Sequence, residues 1–149
     1  MANADSVSQL TGDSFSNFRL GIVKGTALNT AGNGAVTNIT IPILGGGLTN
    51  GGGTGNSGGV IIRRVTVQNP NGSLASANIS VGVTNNGANL VTANTVISGI
   101  SGTGTFVDLT TTATYVSGST TQCLYVNVNT VAGNTNTADI VVWGDVVSF

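Results

Sequence analysis

The residue types that carry out catalysis are scarce in this chain, and those present are far apart. There is no histidine, and all five acidic residues are aspartates. Without imidazole there is no Ser–His–Asp or Cys–His pair and no histidine ligand for a metal. Hydrolysis by paired carboxylates needs two that face each other, and the spacing suggests no such pair among Asp5, Asp13, Asp108, Asp139 and Asp145. We therefore expect a protein that is not an enzyme.

One segment matches a nucleotide-binding motif by its letters only. Residues 53–58 fit the pattern G-x-G-x-x-G, but that pattern binds a dinucleotide where it follows a strand and opens a helix. Here it lies in a glycine-rich tract and precedes a β-like run at 60–62. A calcium site made of aspartates and carbonyls stays a minor alternative, because no EF-hand-like run is present. We expect no cofactor and no metal.

Surface charge is equally sparse. Four basic and five acidic residues among 149 give a formal net charge of −1. Such a surface provides little repulsion between molecules and favours association. Binding to nucleic acid needs clustered basic side chains, and Arg19, Lys24, Arg63 and Arg64 form no large cluster. We expect protein partners and no nucleic-acid partner.

Cellular location is indicated only by what the sequence lacks. Cys123 is the only cysteine, so no disulfide can form within the chain. The first residues contain neither the basic nor the apolar segment of a secretory signal. No run reaches the about 18 apolar residues of a membrane-spanning helix. We expect synthesis in a reducing cytoplasm and no membrane partner.

Alternating apolar residues, separated by turns rich in Asn and Gly, predict an all-β fold. Weaker strands are expected at 19–28, 90–98 and 105–109. About eight strands are typical of an antiparallel β-sandwich or jelly roll. Five segments show the clearest period of two: Ile39, Ile41 and Ile43; Ile61, Val65 and Val67; Ile79, Val81 and Val83; Leu124, Val126 and Val128; and Ile140, Val142 and Val146.

The regions between these strands predict the organisation of the chain. Residues 85–88 are the best hairpin turn, and residues 69–72, Asn-Pro-Asn-Gly, look like a turn that opens a longer connection. Residues 1–18 are polar with isolated apolar positions and are expected to form an extended N-terminal arm. We expect one domain over 19–149, with a glycine-rich loop at 45–59.

Seven residues are candidates for contact with a partner. Arg63 shares the phase of Ile61, Val65 and Val67, and an unpaired buried charge is costly. We therefore expect it to pair with an aspartate of the same chain or, alternatively, of a neighbouring subunit. Arg64 is expected on the opposite face of the strand.

The other five candidates are mostly aromatic. Trp143 is expected in the core or at a subunit interface rather than on a ligand-stacking platform. Tyr125 is out of phase with its apolar neighbours and should face outward or into a partner. Phe15 and Phe18 in the arm and Leu48 in the glycine-rich loop complete the interface candidates.

Two long runs resemble a known group of proteins. They are VIIRRVTVQNPNGSLASANISVGVTNNGANLV, residues 60–91, and QCLYVNVNTVAGNTNTADIVVWGDVV, residues 122–147. An arginine-bearing strand that ends in an Asn-Pro turn, and a C-terminal run with TADI and GDV, resemble the capsid decoration (cement or auxiliary head) proteins of tailed bacteriophages. The resemblance implies a β-sandwich that binds the major capsid protein on the virion surface.

The leading hypothesis is therefore a virion structural protein that decorates and stabilises a phage capsid. It is expected to form a homo-oligomer, with a trimer favoured because capsids have local threefold positions. The alternative is a glycan-binding module of a virion fibre or surface appendage, which would need an exposed aromatic pair or a polar groove. A major shell protein and an ice-binding protein are less favoured, because the chain is short and lacks a regular array of threonines.

Overall fold

The computed structural model describes residues 18–28, 36–42, 59–84, 91–97, 99–117, 123–132 and 135–147. Within these ranges there are β-strands and no helix, and so no helix long and apolar enough to cross a membrane. The strands are β1 (Phe18–Ala27), β2 (Val36–Pro42), β3 (Gly59–Gln68), β4 (Ala77–Gly82), β5 (Thr95–Ile97), β6 (Phe106–Leu109), β7 (Thr114–Ser117), β8 (Cys123–Thr130) and β9 (Thr137–Val147).

These strands form two antiparallel sheets. Sheet A has the order β1–β9–β3, with β6 and β7 along the other edge of β3, and sheet B has the order β2–β8–β4–β5. β6 pairs with residues 65–68 of β3 and β7 with residues 59–62, so they are successive pieces of one edge strand. Counted as one, they give eight strands in the order of a jelly roll. The predicted all-β sandwich is confirmed.

The core lies between the two sheets and follows the predicted alternation in most strands. In β8, for example, Leu124, Val126 and Val128 are buried while Tyr125 is only partly so. Removing these apolar side chains from water is the main stabilising contribution in such a sandwich. The fully buried larger side chains come from both sheets and their connections: Leu28, Val60, Ile62, Val65, Val67, Leu74, Ile79, Val81, Ile97, Leu124 and Ile140.

β3 departs from the predicted phase. Val60 and Ile62 are fully buried, whereas Ile61 is half-buried and Arg63 is exposed. The cause is a β-bulge, seen as a register shift against β9 between Ile62 and Arg64. A bulge inserts one residue, so the side chains before and after it change faces relative to a regular strand. The predicted grouping of Ile61 and Arg63 with the core positions is therefore wrong.

The bulge requires a glycine on the neighbouring strand. Gly144 of β9 lies opposite Ile62, where a Cβ atom would collide with the carbonyl oxygen of Ile61 and come within 2.8 Å of Leu20 Cδ1. Close approach of two backbones is a typical reason for glycine inside a strand.

The interruption between β6 and β7 also coincides with the bulge. At residues 110–113 the edge strand leaves β3, and Thr111 forms a β-bridge with Thr92 instead. Ala93 N donates to Thr110 O at 2.8 Å, and Thr112 N donates to Val91 O at 3.3 Å. These bonds join the edge of sheet A to the segment that precedes β5. They cover backbone groups that would otherwise form an open edge.

The turn after β3, residues 69–72, is connected by hydrogen bonds to the start of β9, and this connection is here called the clasp. Asn71 exchanges two bonds with Thr137: its backbone N–H donates to Thr137 O at 3.0 Å, and its Oδ1 accepts from Thr137 N at 2.8 Å. Asn136 Nδ2 donates to Ser73 O at 2.9 Å. At the first position of the turn, Asn69 has φ 50°, a conformation that Asn tolerates better than most residues.

Several sequence predictions concern the other connections. β7 was not predicted, and the strand expected over 90–98 is limited to Thr95–Ile97. The hairpin turn at 85–88 lies outside the described residues, although β4 and β5 do pair antiparallel. The expected arm and glycine-rich loop also lie outside them, except that Phe18 begins β1 and Gly59 begins β3.

Candidate interaction face

Side chains on the solvent side of sheet A form the candidate site, here called the sheet A face. Pairing places them opposite one another across the strands: Ile61 faces Asp145, Arg64 faces Trp143, Thr66 faces both Val141 and Asp108, and Ile61 also faces Tyr115. Their neighbours in sequence, such as Val65 and Val142, belong to the core. Because successive side chains of a strand point to opposite sides of the sheet, the residues of the sheet A face point away from the core.

Arg63 forms an ion pair within the chain. Its Nε atom lies 2.6 Å from Asp145 Oδ2, and the side chains are 52% and 16% exposed. The bulge brings Arg63 to the side of the sheet on which Asp145 lies, so the charge never enters the core. Of the two predicted alternatives, the structure contains the pair with an aspartate of the same chain.

Arg64 forms the second ion pair and contacts an aromatic ring. Its Nε and Nη2 atoms donate to the two carboxylate oxygens of Asp108 at 2.7 and 3.0 Å, a bidentate geometry. Its Cζ lies 5.5 Å from the centre of the Phe106 ring, within cation–π range. The hydrogen bond with Asp108 raises the pKa of Arg64 above its ordinary value, against an opposing effect of desolvation.

Trp143 of β9 contacts the neighbouring strand β3 on the solvent side of sheet A. It is half-buried, and its Nε1 donates to Thr66 Oγ1 at 3.3 Å, across to β3. Thr66 and its cross-strand partner Val141 are 3% and 1% exposed although they lie on the solvent side of sheet A. The indole thus covers the middle of the face. Of the two predicted positions, the core is excluded, because Trp143 is half-buried on the solvent side of sheet A; a subunit interface stays a prediction.

Two exposed aromatic residues were missed by sequence reasoning. Phe106 is 56% exposed and Tyr115 is 46% exposed, and both lie on the edge strand of sheet A. Exposed aromatic rings of this kind are typical anchors where a protein interface is present. Phe106 lay at the start of a weakly predicted strand, and Tyr115 lay in β7, so neither could be assigned to a face.

The structure separates the predicted contact residues. Arg63, Arg64 and Trp143 come together on sheet A, whereas Tyr125 lies on the outer face of sheet B, as its outward phase predicted. Trp143 and Tyr125 therefore cannot form one aromatic platform.

The remaining predicted contact residues cannot be placed on either face. Phe18 begins β1, but its side chain is outside the description, as are Phe15 and Leu48 entirely.

The described carboxylates act as structural acceptors. Asp108 and Asp145 bind arginines, and Asp139 Oδ1 accepts from the backbone N–H of Gly25 at 3.0 Å. Gly25 has φ +60° in an irregular part of β1, so Asp139 holds the left-handed turn of this strand. Within the described ranges, no group of three His, Cys, Asp or Glu residues could hold a metal ion. The sheet A face offers apolar area and charge pairs.

Comparison of the chain with protein-family models, with curated proteins and with solved structures finds no match.

Proposed function

We propose that this chain is a non-enzymatic structural protein of a virion. In this proposal it decorates and stabilises the outer surface of a tailed-phage capsid by protein–protein contacts made through many copies. The observation that carries the proposal is the sheet A face, where exposed aromatic rings, a half-buried tryptophan and the paired Arg63 and Arg64 lie on one side of one sheet.

The composition of the sheet A face suits a protein interface. Arg, Tyr, Trp and Phe are the residues enriched at interface centres. Arg63 and Arg64 are each already paired with an aspartate, so neither of these two charges is left unpaired when a partner covers the face. Phe106 and Tyr115 supply apolar area at the edge strand.

Many copies make weak contacts sufficient. Each copy then needs only modest affinity for the capsid, because subunits that are joined to one another on a shell bind by avidity. A homo-oligomer with closed symmetry is the usual arrangement, and we favour a trimer on the major capsid protein. The low net charge of −1 allows copies to lie side by side without strong repulsion.

The resemblance to phage decoration proteins adds support, and the structure gives its motifs a physical role. The Asn-Pro turn clasps β9 through Asn71 and Thr137, Asp139 holds the irregular part of β1, and Gly144 and Asp145 accommodate the Arg63 bulge. The jelly-roll order occurs in viral capsid and lectin domains among others. A fold alone does not assign a function, so the proposal depends on the sheet A face.

Binding to capsids tests the proposal. Purified chain is added to capsids of the encoding phage that lack it, and the bound copies are counted after sedimentation. Replacing both exposed rings, Phe106→Asp with Tyr115→Asp, is expected to lower the apparent affinity by about tenfold or more, because interface anchors each contribute more than about 1 kcal/mol.

The matched control is Val96→Asp. Val96 is 54% exposed, nearly the same as Phe106, but it lies on sheet B. This variant should bind capsids as the parent does. Failure of the parent chain to bind, or equal binding by the Phe106 and Tyr115 double variant, would contradict the proposal.

A further inference from the structure

The outer face of sheet B differs in kind from the sheet A face. Strands β2, β4, β5 and β8 contain no charged residue. The β4–β8 junction instead carries amides and a hydroxyl, here called the asparagine cluster: Asn78 and Ser80 of β4, Asn127 and Asn129 of β8, and Asn94 just before β5.

Strand alternation places the cluster outside the core. Asn127 lies between Val126 and Val128, both of which are core residues, and it faces Ser80 across the two strands. Ser80 lies between the core residues Ile79 and Val81 in the same way. Both are nevertheless covered, since Asn127 is 4% exposed and Ser80 is 1% exposed.

Three polar atoms of the cluster are buried without a partner. In the described part of the chain, Asn127 Nδ2, Asn127 Oδ1 and Asn78 Oδ1 form no hydrogen bond. Leaving such groups unpaired destabilises the folded chain, and buried side-chain polar atoms in proteins are mostly satisfied. A β-branched residue at position 127 would suit a strand without this cost. The cluster therefore retains a donor group and two acceptors for something that binds.

A rotatable side chain lies over the cluster. Asn129 is exposed, and its Nδ2 donates to Ser80 Oγ at 3.3 Å and to Asn94 Oδ1 at 2.8 Å, so it reaches across β4. A polar ligand can replace these bonds one for one when Asn129 turns outward. Tyr125 lies two residues before Asn127, on the same side of β8.

We propose that the asparagine cluster, together with Tyr125, binds a neutral carbohydrate. Sugar hydroxyls both donate and accept hydrogen bonds and carry no charge, which matches amides without a nearby ion. The apolar face of a sugar ring stacks on an aromatic side chain. A peptide that adds to a sheet would use an edge strand, whereas the cluster lies on the face of two inner strands. This site is separate from the sheet A face, so neither proposal depends on the other.

The test uses the full ¹⁵N-labelled chain and four probes. These are the methyl β-glycosides of glucose, galactose and N-acetylglucosamine, with maltohexaose as an oligomer. We expect a saturable shift of the Asn127 and Asn129 side-chain amide signals with at least one probe. Mannitol, an open-chain polyol with no ring to stack, should cause none.

Two substitutions locate the binding. Asn127→Val should weaken binding by about tenfold or more, because a hydrogen-bonding pair is lost. Asn129 is exposed, so Asn129→Ala should change the affinity for the sugar without altering the fold. The control is Thr103→Ala in an exposed loop, which should leave that affinity unchanged.

Two results overturn the carbohydrate site. One is the absence of a saturable shift with all four probes, which would leave ordered water as the partner of Asn127. The other is sugar binding that is unchanged in both Asn127→Val and Asn129→Ala.

Discussion

At the residue scale, the role that a polar residue can have depends on the side of the strand on which it lies. Arg63 illustrates the difficulty: strict alternation from Val65 and Val67 places it in the core, but one inserted residue moves it to the solvent side beside Asp145. The bulge also depends on the partner strand, because Gly144 leaves room there for the Ile61 carbonyl oxygen. The sequence could therefore predict that Arg63 needs an aspartate but could not predict its face.

Gly144→Ala tests this explanation of the bulge. The added Cβ would collide with the Ile61 carbonyl oxygen and crowd Leu20, both of which are fixed in the sheet and core. We expect a loss of about 1–3 kcal/mol in the free energy of unfolding, measured by denaturant titration.

Gly102→Ala is the matched control for that substitution. Nothing lies within 4 Å of the Cβ position there, and Gly102 is not among the described residues with positive φ. Its effect should stay within about 0.5 kcal/mol. Equal stability of the two variants would show that the bulge does not depend on Gly144.

At the element scale, the segments with regular alternation were predictable and the irregular ones were not. β4, β8 and β9 were identified with the correct core positions at Ile79, Leu124 and Ile140. β7 was missed because it is only four residues long. It also pairs with β3 only after an interruption of the edge strand, where Thr111 pairs with Thr92 instead. Such pairing depends on distant chain segments, which single-strand patterns do not contain.

The clasp between the Asn69–Gly72 turn and β9 gives an element-scale prediction. Asn71→Ala removes the bond from Thr137 N to Asn71 Oδ1, and Asn136→Ala removes the bond to Ser73 O. Each should cost about 0.5–1.5 kcal/mol in the free energy of unfolding. Because both bonds hold the same two segments together, the double variant should lose less than the sum of the single ones.

Strict additivity of those two losses would show that Asn71 and Asn136 act independently, so that no clasp exists. Asn94→Ala is a suitable comparison, because its bond to Asn129 lies in sheet B. We expect its effect to add to that of Asn71→Ala within about 0.5 kcal/mol.

At the scale of the whole molecule, charge and aromatic residues are divided between two faces. The described Arg, Lys and Asp residues all belong to strands of sheet A, as do Trp143, Phe106 and Tyr115, whereas the strands of sheet B are uncharged. Composition predicted a sparsely charged protein without catalysis, and the alternation of apolar residues predicted β-strands. It could not predict this division, because strand order in a jelly roll brings together segments as distant as β1, β3 and β9.

The division means that one molecule can attach by one face and present the other. In our proposal the sheet A face contacts the capsid, and sheet B remains open to solution or to a ligand. The most direct test is a cryo-electron microscopy reconstruction of purified virions of the phage that encodes this chain. We expect many ordered copies on the outer surface of the capsid, with Phe106, Tyr115 and Trp143 covered by capsid protein or by a neighbouring copy. Virions that lack the chain, or copies whose sheet A face is fully solvated, would contradict it.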